Sequence, residues 1–315
     1  MKHQTVQAAR SPLFGIALKV VSVAIFVGMS TGIKAAGDVP AGQIVFYRSF
    51  FAIFPILIFL AWQRELSTAF VTQRPVSHIM RGLVGVSAMG FGFFALTHLP
   101  LPEAITLNYA QPLLVVVFSA LFLGETVRIH RWTAVAVGLL GVVIVSWPKL
   151  TLFTSDAGLG DREALGVVAA LIGACLSAVA MLLVRKLVHT ERTATIVLWF
   201  SLTASGIALF SIPFGWQSLS WQQTALLVTG GVCGGIAQLF MTEAYRYAEA
   251  STVAPFEYTS LILGIGVGYL VFGDLPTIHT LVGGAIVIGA GIFIIWRERR
   301  LGLERQAAKK VSVPQ

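Results

Sequence analysis

The stretch Leu107–Pro112 reads Leu-Asn-Tyr-Ala-Gln-Pro and opens an apolar run that reaches Leu123. It sets two amides and a phenol within about one helical turn, then a helix breaker. Amides donate and accept hydrogen bonds, and a tyrosine ring stacks on flat solutes while offering a hydroxyl. A second run, Phe256-Glu257-Tyr258-Thr259-Ser260, repeats the pattern with a carboxylate in place of the first amide. Arg48 adds a guanidinium inside Phe-Tyr-Arg-Ser-Phe-Phe, and Gln238 adds an amide one turn before Thr242. Groups of these types bind a solute; they do not assemble a bond-breaking site. The six histidines (His3, His78, His98, His130, His189, His279) fall at the ends of apolar runs or between them, none at metal-ligand spacing on a helix. No Ser-His-Asp set and no phosphate loop is present. Cys175 and Cys233 sit in apolar segments and point to neither a disulfide nor a metal. The candidate binding residues are therefore Arg48, Asn108, Tyr109, Gln111, Gln238, Glu257, Tyr258 and Thr259. No catalytic residue, metal or cofactor is expected.

The elements that position these residues must be membrane helices. The chain is 56 % hydrophobic and only 11 % charged, against about 25 % charged in a soluble domain. A bilayer core about 30 Å thick needs about 20 apolar residues per helix. Such stretches run at 13–34, 39–62, 79–98, 102–123, 129–147, 163–188, 193–213, 222–247, 251–272 and 277–296. Ten spans put both termini on one side, and charge says which. With the N-terminus in the cytoplasm, Lys34, Lys149 and Arg162 are outside, Lys19 and Arg48 are within spans, and the other seventeen of the 22 basic residues, Arg81 among them, are inside. That asymmetry follows the positive-inside rule. It also accounts for the net charge of +8 without nucleic acid. The first span is too long for a cleaved signal. The basic tail after Trp296 reads as disordered.

The chain also repeats itself. A shift of 149 residues lays Tyr109 on Tyr258, Gly124 on Gly273, Glu125 on Asp274, and Gly82, Gly85 and Ala88 on Gly231, Gly234 and Ala237. Slightly different shifts pair Lys34 with Arg185 and put Phe200 near the place of Arg48. Order and near-constant offset mark an internal duplication. Five spans per copy is odd, so the copies enter the membrane in opposite senses. Inverted repeats are a hallmark of secondary transporters, whose site lies between the halves.

On these residues the sequence resembles the drug/metabolite transporter superfamily, specifically its bacterial EamA-type members. The resemblance covers about residues 13–296. It rests on the paired halves, on Arg48 in "FYRSFFA", and on "PEAITLNYAQPLLVVVFSALFLGE" with its echo "AEASTVAPFEYTSLILGIGVGYLVFGD". It implies an all-α integral membrane fold of ten transmembrane helices in two inverted five-helix repeats. The expected organisation is a cytoplasmic tail (1–12), repeats at 13–147 and 163–296, a periplasmic linker (148–162) and a basic cytoplasmic tail (297–315). The implied function is alternating-access transport of a small organic metabolite across the inner membrane, riboflavin uptake being a favoured candidate. Alternatives are export of amino acids or other metabolites, uptake of S-adenosylmethionine and, in another class, a channel or lipid flippase. The expected partners are the small-molecule substrate, the bilayer, protons and a second copy in a homodimer.

Each residue also has a plainer reading. An arginine at mid-membrane costs about 3 kcal/mol on insertion scales, so Arg48 either pairs with Glu103, Glu243 or Glu257 or anchors an anionic cargo group. Glu257 is either a proton-coupling carboxyl or a helix-helix hydrogen bond. Tyr109 and Tyr258 either face a pathway, at mirrored depths, or belong to interfacial belts. Gly28 to Gly32, Gly230 to Gly234 and Gly264 to Gly268 have the spacing of close helix crossings. The topology is testable. Reporter fusions after Trp62, Ala157 and Trp296 are expected to report inside, outside and inside; a cytoplasmic Ala157 overturns the five-plus-five scheme.

Overall fold

The structure is a computed structural model and describes residues 12–124, 127–150, 162–188, 190–247 and 254–311. The N-terminal tail, Glu125 of the Gly-Glu ending and most of the expected linker lie outside the described residues. Among those described, all regular structure is helical: α1 (Pro12–Ala35), α2 (Ala41–Trp62), α3 (Pro75–His98), α4 (Leu101–Asn108), α5 (Ala110–Leu123), α6 (Ile129–Leu150), α7 (Arg162–Val188), α8 (Thr193–Leu209), α9 (Trp221–Tyr247), α10 (Thr259–Val267) and α11 (Ile278–Val311). A 3-10 segment, Ala254–Tyr258, leads into α10.

Among the described residues, eight helical stretches are long and apolar enough to cross a membrane, with Leu101–Phe122 counting as one. Ala194–Leu209 and Phe256–Phe272 are apolar but shorter. At 1.5 Å per residue these two reach only about 25 Å. The basic segment after Trp296, expected to be disordered, instead continues α11 to Val311.

The helix break near Leu107–Pro112 has a local cause. Pro112 has no N–H for the carbonyl of Asn108, and its ring crowds that carbonyl. α4 therefore stops at Asn108, and α5 restarts at Ala110. Tyr109 bridges them, its N–H donating to Thr106 O at 3.1 Å. The shared Gly-Glu and Gly-Asp endings are helix stops. Gly124 and Gly273 take φ of +64° and +70°, a region that glycine enters without a Cβ clash. Beyond Gly273, Asp274 N donates to Gly268 O at 3.1 Å.

Helix α1 lies along α9, and α3 lies along α7. Helix α2 packs on α8 and α9, and α6 on α11. Small residues set these crossings, because between apolar helices close backbone approach is a main source of attraction. A Cβ on Gly141 would stand 2.8 Å from Gly283 O, and one on Gly235 2.8 Å from Ala52 O. The spacing at Gly28–Gly32 makes no such crossing: Gly28 has open space, and Gly32 faces only Leu226 O at 3.8 Å.

The α6–α11 crossing yields a prediction. Gly141→Ala is expected to destabilise by about 1–3 kcal/mol, as overpacking does. Gly289→Ala on α11, where a Cβ meets nothing within 4 Å, is expected to be neutral or stabilising. Thermal unfolding in detergent checks the order, and equal melting temperatures would remove Gly141 from the crossing.

Candidate functional site

A cavity of about 410 Å³ lies inside the bundle, lined from α1–α5 on one side and α7–α9 on the other. This falls in the range of small-ligand sites, roughly 300–1,000 Å³. Four sequence-predicted residues line it: Arg48, Asn108, Gln111 and Gln238. The Pro112 break turns Asn108 at the end of α4 and Gln111 at the start of α5 toward the same space. Apolar walls from α3 and α7, including Phe93 and Ala170, surround these polar groups. Arg48 is 8 % exposed. Its Nε would lie 3.4 Å from a Cβ on Gly234, an ordinary contact; the atom that needs the bare backbone there is Met29 Sδ, which would lie 2.8 Å away.

The other four predicted residues do not line this cavity; they knit helices together beside it. Glu257 forms an ion pair with Lys19, which is fully buried in α1. That pair draws off one of the three carboxylates considered for Arg48. The Ser260 hydroxyl donates to Glu257 O at 2.7 Å. With that hydrogen committed, the Tyr109 hydroxyl donates to Ser260 Oγ. Tyr109 and Tyr258 meet edge to face, centroids 5.1 Å apart. The two rings expected at mirrored depths are thus in contact, within one buried cluster. Tyr258 fills the space that a side chain at Gly291 would need. Thr259 turns back to donate to Phe256 O at 2.7 Å.

One cavity residue escaped sequence reasoning. Charge counting puts Arg81 on the inner side; its guanidinium instead lines the cavity, stacked 4.0 Å from the centre of the Phe200 ring. The available signal was an arginine inside the apolar run 79–98, with Gly85 one turn on. Lys19 carried the same signal in α1.

Polar ties hold both ends of the bundle. At one, Lys34 donates to Leu99 O and lies 3.7 Å from Asp274 Oδ2. That carboxylate also accepts from Leu101 N at 3.1 Å. At the other, Glu191 accepts from Thr72 Oγ1 at 2.7 Å and Gln73 N at 3.0 Å. Burial works to raise the Glu191 carboxyl pKa, but these hydrogen bonds and the facing His78 outweigh it and hold it below the usual carboxylate value.

With this geometry in view, comparison with known proteins is decisive. A model of the EamA-like transporter family matches residues 13–147 and again residues 164–297. The chain belongs to this family. It is 30 % identical to the pseudopaline exporter CntI of Pseudomonas aeruginosa, over 88 % of this chain and 94 % of that one. It is 31 % identical to a riboflavin transporter of Rhizobium johnstonii, over 83 % of each chain. It is 25 % identical to an S-adenosylmethionine uptake transporter of Rickettsia felis, over 82 % of this chain and 84 % of that one. A solved protein structure shares the fold, with a TM-score of 0.61 at 20 % identity, over 91 % of this chain and 98 % of that one. The protein is a multi-pass membrane protein and a metabolite transporter, and its family points to a non-enzymatic role.

The Lys19–Glu257 pair predicts a coupling. Glu257→Gln is expected to destabilise by about 3 kcal/mol, because it strands the fully buried Lys19, and Lys19→Met by about 1 kcal/mol, because the Glu257 carboxylate is nearly half exposed. The double variant is expected to recover about 2 kcal/mol of the summed loss. A double-mutant cycle on detergent-purified protein measures this, and additive losses would mean that the two charges do not depend on each other.

Proposed function

We propose that the protein is a secondary transporter that moves a small organic metabolite across the inner membrane by alternating access, and that the cavity is its cargo site. The observation that carries this reading is the cavity itself: polar side chains from both family-matching halves converge on one space between apolar walls. Polar groups at such depth are costly and mark solute pathways. Two inverted repeats are the second part of the proposal. They are supported by the double family match and by equivalent packing, with α1 on α9 as α7 is on α3, and α2 on α9 as α8 is on α3. The Lys34–Asp274 tie supports a state closed at that end. In this reading both termini are cytoplasmic.

The relatives' names offer riboflavin, the sulfonium S-adenosylmethionine and exported pseudopaline as cargoes. Riboflavin uptake is one candidate for this chain, since Phe93 and Phe200 flank the cavity and the amides can pair with a flat polar ring. Export of amino acids or other metabolites is the alternative. Glu257 is the candidate proton-coupling carboxyl, with Lys19 as its partner.

Alternating access has a direct test that needs no knowledge of the cargo. In a background with Cys175 and Cys233 replaced by serine, Gln111→Cys is expected to react with a membrane-impermeant thiol reagent from both sides of oriented vesicles. Cross-linking the Lys34–Asp274 end through introduced cysteines is expected to abolish reaction from that side only. Reaction from both sides that survives the cross-link would be the signature of a channel, and reaction from neither would remove Gln111 from the pathway.

A further inference from the structure

The charge inside the cavity is one-sided. Arg48 and Arg81 both line it, and among the described residues no aspartate or glutamate does. Among the described residues, no carboxylate forms an ion pair with either guanidinium. Glu257, the acid nearest in sequence pattern to such a role, is engaged by Lys19.

The pose of Arg81 sharpens the point. Long helical side chains lean toward the helix N-terminus, and an arginine near a span end ordinarily reaches out to the polar interface. Arg81 does the reverse. Its Cζ would lie 3.4 Å from a Cβ on Gly85, one turn further along α3 and deeper in the bundle, and its NH1 lies closer still. Gly85 leaves the notch that admits it, and Phe200 supplies a ring face beneath it. A ring face partly compensates a guanidinium but leaves its N–H groups unanswered. Arg81 Nε and NH1 are indeed buried without a hydrogen-bond partner. Two like charges held beside one apolar space repel each other, and charge-assisted hydrogen bonds from a bound anion would relieve both.

We propose that the cargo is a small organic anion carrying two negative charges, a phosphate monoester or a dicarboxylate with a flat or apolar body, held by Arg48 and Arg81. The amides of Asn108, Gln111 and Gln238 take its neutral polar groups. This deepens the transport reading and rests on it. A neutral flavin leaves both guanidinium charges uncompensated, and a sulfonium cation adds to the repulsion.

Matched ligand pairs test it on the full-length protein in detergent. Flavin mononucleotide and riboflavin share one ring and differ by a phosphate; phthalate and benzamide make a smaller pair. In at least one pair the dianion is expected to bind at least about tenfold more tightly than its neutral partner, the effect of one good charge pairing. Arg48→Gln and Arg81→Gln are each expected to erase that preference while the protein stays monodisperse. Gly85→Ala, which removes no charge but fills the notch, is expected to weaken the preference as well. Should either Gln variant fail to fold, the Gly85→Ala result stands in its place. Equal binding of dianion and neutral partner, failure of both dianions to bind, or a preference that survives these substitutions would overturn the proposal. Tight binding and exchange of neutral riboflavin would sink the dianion while leaving the transporter intact. Failure of the Gln111→Cys accessibility test would instead sink the transport route, whatever binds.

Discussion

A cation inside an apolar bundle must be answered there, because neither lipid nor bulk water is at hand to answer it. The rest of this structure is arranged around that constraint. Lys19 is answered by Glu257, which fixes α1 against the 3-10 segment before α10. Lys34 is answered by Leu99 O and Asp274, which fixes the far end of α1 against the α3–α4 link and the turn after Gly273. Arg81 is answered only in part, by the face of Phe200. Arg48 is set against the bare backbone at Gly234. The two answered lysines are structural ties. The two incompletely answered arginines are the ones that face the cavity.

Glycine serves two purposes in this arrangement. At Gly141, Gly235 and Gly283 the missing side chain lets one helix backbone touch another. At Gly85 it leaves room for the Arg81 guanidinium beside the cavity, and at Gly234, its counterpart under the 149-residue shift, for Met29 Sδ next to Arg48. One residue type thus both tightens the bundle and opens its site, because omitting a Cβ frees space for whichever neighbour is nearest.

The family match fixes the fold and the general activity, while the relatives' names diverge. That divergence has a structural counterpart. Helix crossings and glycine stops depend on backbone geometry that many cargoes can share. The charge balance of the cavity depends on a few side chains that can change without disturbing it. In the proposed cargo assignment the residues that separate a neutral from an anionic cargo are Arg48, Arg81 and Gly85, not the scaffold.

By itself the sequence determined what is local. Long apolar runs dictate membrane helices, Pro112 dictates a break at Asn108, and Gly124 and Gly273 dictate helix stops, since each follows from one residue's own stereochemistry. Arg48, Asn108, Gln111 and Gln238 were legible as cavity residues because polar groups amid apolar runs have few other places to go. Only the tertiary structure decided where the remaining polar groups point. Glu257 and Tyr258 have the same local signature as Asn108 and Tyr109, yet Glu257 is engaged by Lys19, 238 residues away, and Tyr258 by α11. Arg81, near a span end, could turn outward to the interface or inward to the bundle. Sequence cannot separate those directions, because the choice is made by Gly85 on its own helix and by Phe200 on another, and only packing brings the three together.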